Sequence, residues 1–197
     1  MKTRSSSNAL TMALIVLFGV ALACLLCGCA SGGLHDKSAS DTKWSLFQST
    51  SGAFAVLMPG NPKETVTDQP TSNAPPTKLH QFIVASDSST EFGVFYNDFS
   101  TSLPYLHLVG TKWFFDTTQE DVVRRSNGRV ISSNDMTFHN YPARNFRFED
   151  TDNRLSYDMR IIVVHHRQYQ LIVVSEIGTD VSKDKEIFFN SLILNSW

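Results

Sequence analysis

The hydrophobic pattern predicts an α+β fold, a largely antiparallel central sheet with helices packed on it. Three observations predict it. Short apolar or alternating segments separated by turn residues fill 44–99. Residues 111–125 carry helical spacing instead. Two continuous apolar runs, Ile161 to Val164 and Leu171 to Val174, face each other across a tight turn at His166-Arg167, as central strands of a hairpin would.

The first element is not part of the domain. Lys2 and Arg4 open a basic segment, and an apolar run from Ala9 to Leu26 follows, broken by Thr11 and Gly19. This layout is that of a secretory signal, although the run also has the length of a marginal membrane helix. Its end, Leu26-Cys27-Gly28-Cys29-Ala30, resembles the site cut by the lipoprotein signal peptidase. Leu26 and Gly28 are the recognition residues, because a small side chain beside the scissile bond lets the backbone enter a tight site. Cys27 would put bulky Leu26 at that position, and Cys24 lies inside the apolar run. We therefore expect residues 1–28 to be removed and Cys29 to carry a diacylglycerol and fatty acyl chains such as palmitate, which together anchor stably in a membrane. Ala30, rather than Asp, favours the outer membrane of a diderm host.

Residues 29–43 are small and polar after the lipidated Cys, a tether spanning roughly 45 Å when stretched. A single domain, 44–197, follows. Trp44 to Phe47 and Ala53 to Met58 read as strands about a turn at Ser51-Gly52, and Pro59-Gly60-Asn61-Pro62 ends the second. Lys63 to Asp68 alternates weakly, and the Pro-rich stretch 69–77 is a loop. Leu79 to Ala85 and Phe92 to Phe99 form a hairpin about Asp87-Ser88-Ser89. In Thr111 to Arg125, Phe115, Thr118 and Val122 share one helix face, and Asn127-Gly128 supplies the stop. Arg129 to Ser132, Met136 to Phe138 and Ala143 to Glu149 read as three short strands. Asp150 to Asn153 is a turn, and Leu155 to Val164 and Gln168 to Val174 are the strongest strands. Asp180 or Ser182 is placed to cap a last helix, Lys183 to Asn190, with Val181, Phe188 and Leu192 on one face.

Composition narrows the function. Without residues 1–28 the chain keeps 169 of its 197 residues, and Lys+Arg falls from 17 to 15 against 19 acids, a net charge near −4. That balance, with no basic cluster beyond Arg124-Arg125 and His165-His166-Arg167, argues against nucleic acid as a partner. No Cys follows Cys29, so packing rather than disulfides must hold the domain.

No catalytic residue is assigned, because no nucleophile motif accompanies a base. No metal site is assigned either. His165 and His166 are adjacent, so on a strand they point apart. Glu149, Asp150, Asp152 and Asn153 lack the Gly and closing Glu of a calcium loop. No cofactor pattern is present. Arg144, Arg147 and Arg160 lie on neighbouring predicted strands and are the candidate anion-binding residues, unless they pair with Glu149, Asp152 or Asp158 across the sheet. Trp113-Phe114-Phe115 cannot all face one core, so part of it is a candidate contact patch.

Four segments resemble the PsbP-like domains of bacterial lipoproteins and secreted proteins. They are Phe54-Ala55-Val56-Leu57-Met58-Pro59-Gly60-Asn61-Pro62, Asn140-Tyr141-Pro142-Ala143-Arg144, the hairpin from Arg160 to Arg167-Gln168-Tyr169-Gln170-Leu171, and Phe188-Phe189-Asn190-Ser191-Leu192. Asn140 and Ala143 stand where that pattern has Gly. The resemblance covers about 44–194 and implies an antiparallel sheet between helices. It implies little activity, since the photosystem II extrinsic protein P and the Ran-binding factor Mog share the fold and do unrelated work. Together these readings lead us to expect a membrane-anchored, non-enzymatic interaction module of a bacterial cell envelope, partnered by the membrane through its lipid and by another envelope protein. The alternative is a small-ligand or metal-binding lipoprotein domain, and an envelope hydrolase comes third.

Overall fold

The computed structural model describes residues 43–69, 77–99 and 105–195. Leu26, Gly28, Cys29, the signal peptide and nearly all of the tether lie outside the described residues. In chain order the elements are β1 (Ser45–Ser49), β2 (Phe54–Met58), β3 (Lys63–Gln69), β4 (Thr77–Ala85), β5 (Thr90–Asp98), α1 (Tyr105–Arg125), β6 (Arg129–Phe138), β7 (Tyr141–Asp150), β8 (Leu155–Val164), β9 (Arg167–Glu176), α2 (Ser182–Asn190) and β10 (Ile193–Leu194). Seven strands form one sheet in the order β3-β4-β5-β9-β8-β7-β6, and β1-β2-β10 form a second. Every pairing is antiparallel.

These sheets correct the expected fold class. Strand accounts for 57% of the structure and helix for 18%, so the molecule is β-rich and not the α+β packing read from the sequence. Two features account for the difference. Arg129 to Ser132 and Met136 to Phe138 are one ten-residue strand, with a single register shift between Val130 and Ser132. And the face expected to lie under helices is covered in large part by the three-stranded sheet. Phe54, Val56, Met58 and Leu192 pack there with Phe82, Phe92, Val94, Tyr169 and Leu171 of the large sheet.

Alternation along the strands sorts the core into two layers. On one face Ile162, Val164, Tyr169, Leu171 and Val173 meet the small sheet and Phe188 and Phe189 of α2. On the other, Phe146, Phe148, Tyr157, Met159, Ile161, Ile172 and Val174 meet Phe115 and Val122 of α1. All ten residues of β8 and nine of the ten in β9 are buried, which explains why these strands read as continuous apolar runs.

Local chemistry sets the helix ends. Gly110 (φ 78) interrupts α1, a conformation glycine adopts without steric cost. The helix stops where Asn127 (φ 51) turns left-handed. There the Asn127 N–H donates to the Arg124 carbonyl at 3.3 Å and the Gly128 N–H to the Val123 carbonyl at 2.9 Å, the paired bonds of a Schellman ending. The N-cap position of α2 is held by Val181, with no side-chain capping bond, which corrects the expected Asp180 or Ser182 cap. Asp180 instead accepts the Ser182 backbone N–H at 3.0 Å. Among the described residues no helix is long and apolar enough to cross a membrane.

Candidate functional site

Strand parity divides the three candidate arginines. Arg144 and Arg147 are three residues apart on β7, so their side chains leave opposite faces of the sheet. In the β7–β8 ladder Arg147 sits opposite Asp158, and Asn145 opposite Arg160. Arg147 and Arg160 therefore share the face that carries α2, and Arg144 does not.

Between that face and α2 lies an open polar groove of about 320 Å³. Strand β6 contributes Ser132 and Asn134, β7 contributes Asn145 and Arg147, and β8 contributes Asp158 and Arg160. The helix side is Lys185, Glu186, Phe189 and Asn190. Lys185 Nζ donates to Asp158 Oδ1 at 2.8 Å, an ion pair that bridges helix and sheet.

Arg160 forms the floor, with 6% of its surface exposed. Its Nε donates to Asn145 Oδ1 at 2.8 Å, and its Nη1 to the Phe189 carbonyl at 2.9 Å and Asn190 Oδ1 at 3.2 Å. The guanidinium also lies over Phe138 and Phe189, 5.3 and 5.0 Å from the ring centroids. All three acceptors are neutral. The cation is balanced instead by the carbonyl end of α2, where the helix dipole is negative. Burial lowers its pKa below that of a free guanidinium.

Arg147 is held more loosely. Its side chain is 38% exposed, and Nη2 reaches Glu149 Oε1 at 3.3 Å. Its Nε is shielded from water and has no hydrogen-bond partner among the described residues.

Arg144 belongs to a structural ion pair on the far face. Its Nε donates to Asp135 Oδ1 at 2.6 Å and its Nη1 to Asp116 Oδ1 at 2.7 Å, with the guanidinium over the Phe115 ring. Burial opposes the charge, and the bonds to Asp135 and Asp116 outweigh it, so the Arg144 pKa is raised. Lys112 and then Arg144 hold the Asp116 carboxyl below its usual range. A fourth arginine, Arg167, grips Asp98 with its Nε and Nη2 at 2.5 and 2.7 Å and donates to the Ser51 carbonyl at 3.0 Å.

The remaining sequence candidates have structural settings. His165 (φ 51) sits at the β8–β9 turn near the Tyr141 ring. Asp150 accepts the Asn153 backbone and side-chain N–H groups, closing the turn expected there. Among the described residues no group of three His, Cys, Asp or Glu is placed to hold a metal. Of the aromatic triplet, Phe115 is buried and Trp113 is 53% exposed. Sequence reasoning missed Lys185, which lies 27 residues along the chain from Asp158, so nothing local shows the pairing until the helix is docked.

No family model matches the chain, and no curated protein matches it. Among solved structures it is similar to the cyanobacterial PsbP protein (CyanoP) of Synechocystis, with a TM-score of 0.56 and 10% identity over 86% of this chain and 98% of that one. It also matches a Pseudomonas aeruginosa protein of unknown function at a TM-score of 0.41 and 9% identity, over 72% and 88% of the two chains. The fold is therefore PsbP-like, and at such identities the likeness speaks to fold alone.

Proposed function

We propose that this chain is a lipid-anchored, non-enzymatic interaction module of a bacterial cell envelope. In this reading the acylated Cys29 holds it to the membrane, the outer one in a diderm host, and the domain meets another envelope protein. The observation that carries the reading is the edge of the large sheet at β6. Seven successive residues, Arg129 to Asp135, are exposed, and β6 has no strand beyond it among the described residues. Such an edge presents free N–H and C=O groups to which an extended segment can add as a strand.

The two edges differ in how they are guarded. Strand β3 carries Lys63, Glu64 and Asp68, charges that discourage pairing. Strand β6 carries Arg129 before its one irregularity and Asp135 after it, the latter held by Arg144, but it has neither Pro nor Lys, and Ser132 to Phe138 run in unbroken register. An in-cell crosslinking experiment at native expression, with capture of the tagged protein and mass spectrometry, tests the proposal. A reproducible envelope partner, lost when the domain is replaced and the anchor kept, is the expected result. No partner above the anchor-only control would overturn it.

A further inference from the structure

We infer that the groove between α2 and β6–β8 binds an oxyanion, a carboxylate or phosphate group, on the Nε–Nη2 edge of Arg147. This needs neither the lipid anchor nor the β6 edge, and it holds whichever larger molecule bears the anion. The same chain shows what that edge does when filled: Arg167 holds both oxygens of Asp98 with its Nε and Nη2. Planar guanidinium and oxyanion match there in two parallel, charge-assisted bonds. In Arg147 the edge is half used. Nη2 has one long contact to Glu149 at 3.3 Å. Nε is hidden from water without a partner among the described residues. A buried donor left unsatisfied is costly, so a ligand oxygen that reaches it with a small side-chain shift gains more than one binding an already hydrated group.

The surrounding charges favour an anion. Three cations, Arg147, Arg160 and Lys185, line the groove against Asp158 and Glu186. Asp158 is occupied by Lys185, and Arg160 bonds only to neutral acceptors. The lining cations exceed the lining carboxylates by one in a chain whose net charge is −2, and the remaining countercharge, Glu149, holds Arg147 by a single contact at 3.3 Å. Its volume of about 320 Å³ is at the lower end of ligand pockets and leaves space beyond the anionic group. Glu149 is the internal competitor for the same edge, which gives the inference a second, opposite-signed consequence.

The test uses the full-length protein in detergent, titrated with sodium acetate or sodium phosphate at constant ionic strength, with arginine Nε–H resonances followed by NMR. We expect saturable movement of the Arg147 resonance with at least one of the two, and the one that saturates more tightly identifies the group. The Arg160 Nε–H in the same groove is the reporter that remains in Arg147→Gln, and its saturation should weaken there roughly tenfold or more relative to wild type. Glu149→Gln should tighten it severalfold, and Arg124→Gln, an exposed charge on α1, should leave it unchanged. The partial exposure of Arg147 and Glu149 means both variants should fold, which the rest of the spectrum verifies. Absence of saturation with both anions, or saturation that survives Arg147→Gln, would overturn the inference.

Discussion

At the scale of residues, Arg160 and Arg147 stand one strand apart on one face yet do different work. Arg160 joins β8 to the end of α2 through three buried or half-buried acceptors and lies over two aromatic rings. Arg160→Ala should therefore cost about 2–4 kcal/mol in urea unfolding, since it leaves a cavity and orphans the Phe189 carbonyl. Arg147→Ala should stay within about 1 kcal/mol, because its ion pair is long and partly in solvent. Asp116 gives a pH-dependent prediction. Its folded pKa is lowered from 3.8, so its contribution to stability is complete above that unfolded value and is lost as pH falls through the lower folded one. Wild type should melt above Asp116→Asn at neutral pH, by a modest margin because Asp116 is 40% exposed, and the two melting temperatures should converge in acid. The sequence makes Arg144, Arg147 and Arg160 visible as a group. It also contains the odd spacing that splits them, but that spacing acquires meaning only once β7 is known to run unbroken from Tyr141 to Asp150.

At the scale of elements, legibility follows burial. Strands β8 and β9 are covered on both faces, and their apolar runs announce them. The face of α1 was readable too, with Phe115 and Val122 buried as their spacing requires. Strand β6 reads in the sequence as two pieces because Ser133, Asn134 and Asp135 between them are turn formers by local preference. On an exposed edge those positions meet water, and pairing with β7 overrides the preference. The β1–β2 hairpin shows the opposite case, a turn whose residue is dictated by packing. A Cβ on Gly52 would lie 2.5 Å from the Phe54 ring and 2.8 Å from Ser49 Oγ. Phe54 is fully buried between the two sheets and cannot yield. Gly52→Ala should lower stability by about 1–3 kcal/mol in denaturant unfolding, whereas a change within error would show that the hairpin shifts freely.

At the scale of the whole molecule, the second sheet is what the sequence concealed. Ile193 and Leu194 join β2 from the far end of the chain, and the Ser191 hydroxyl accepts the Leu57 N–H at 2.9 Å, contacts that no local pattern encodes. They close one face of the large sheet, leave α2 to wall the groove, and leave β6 open at the edge. Maturation belongs to this scale as well: Cys29→Ala should accumulate as uncleaved, unlipidated precursor, visible as a larger species on a gel, and normal processing would remove the anchor from the account. The central claim, that the anchored domain meets its partner along β6, is tested most directly by a photoactivatable residue placed at Ser133 or Thr137 in cells, with Thr65 on β3 as the control. All three positions are exposed. One envelope protein should crosslink from β6 and not from β3. No adduct from β6, or the same adduct from both edges, would contradict it.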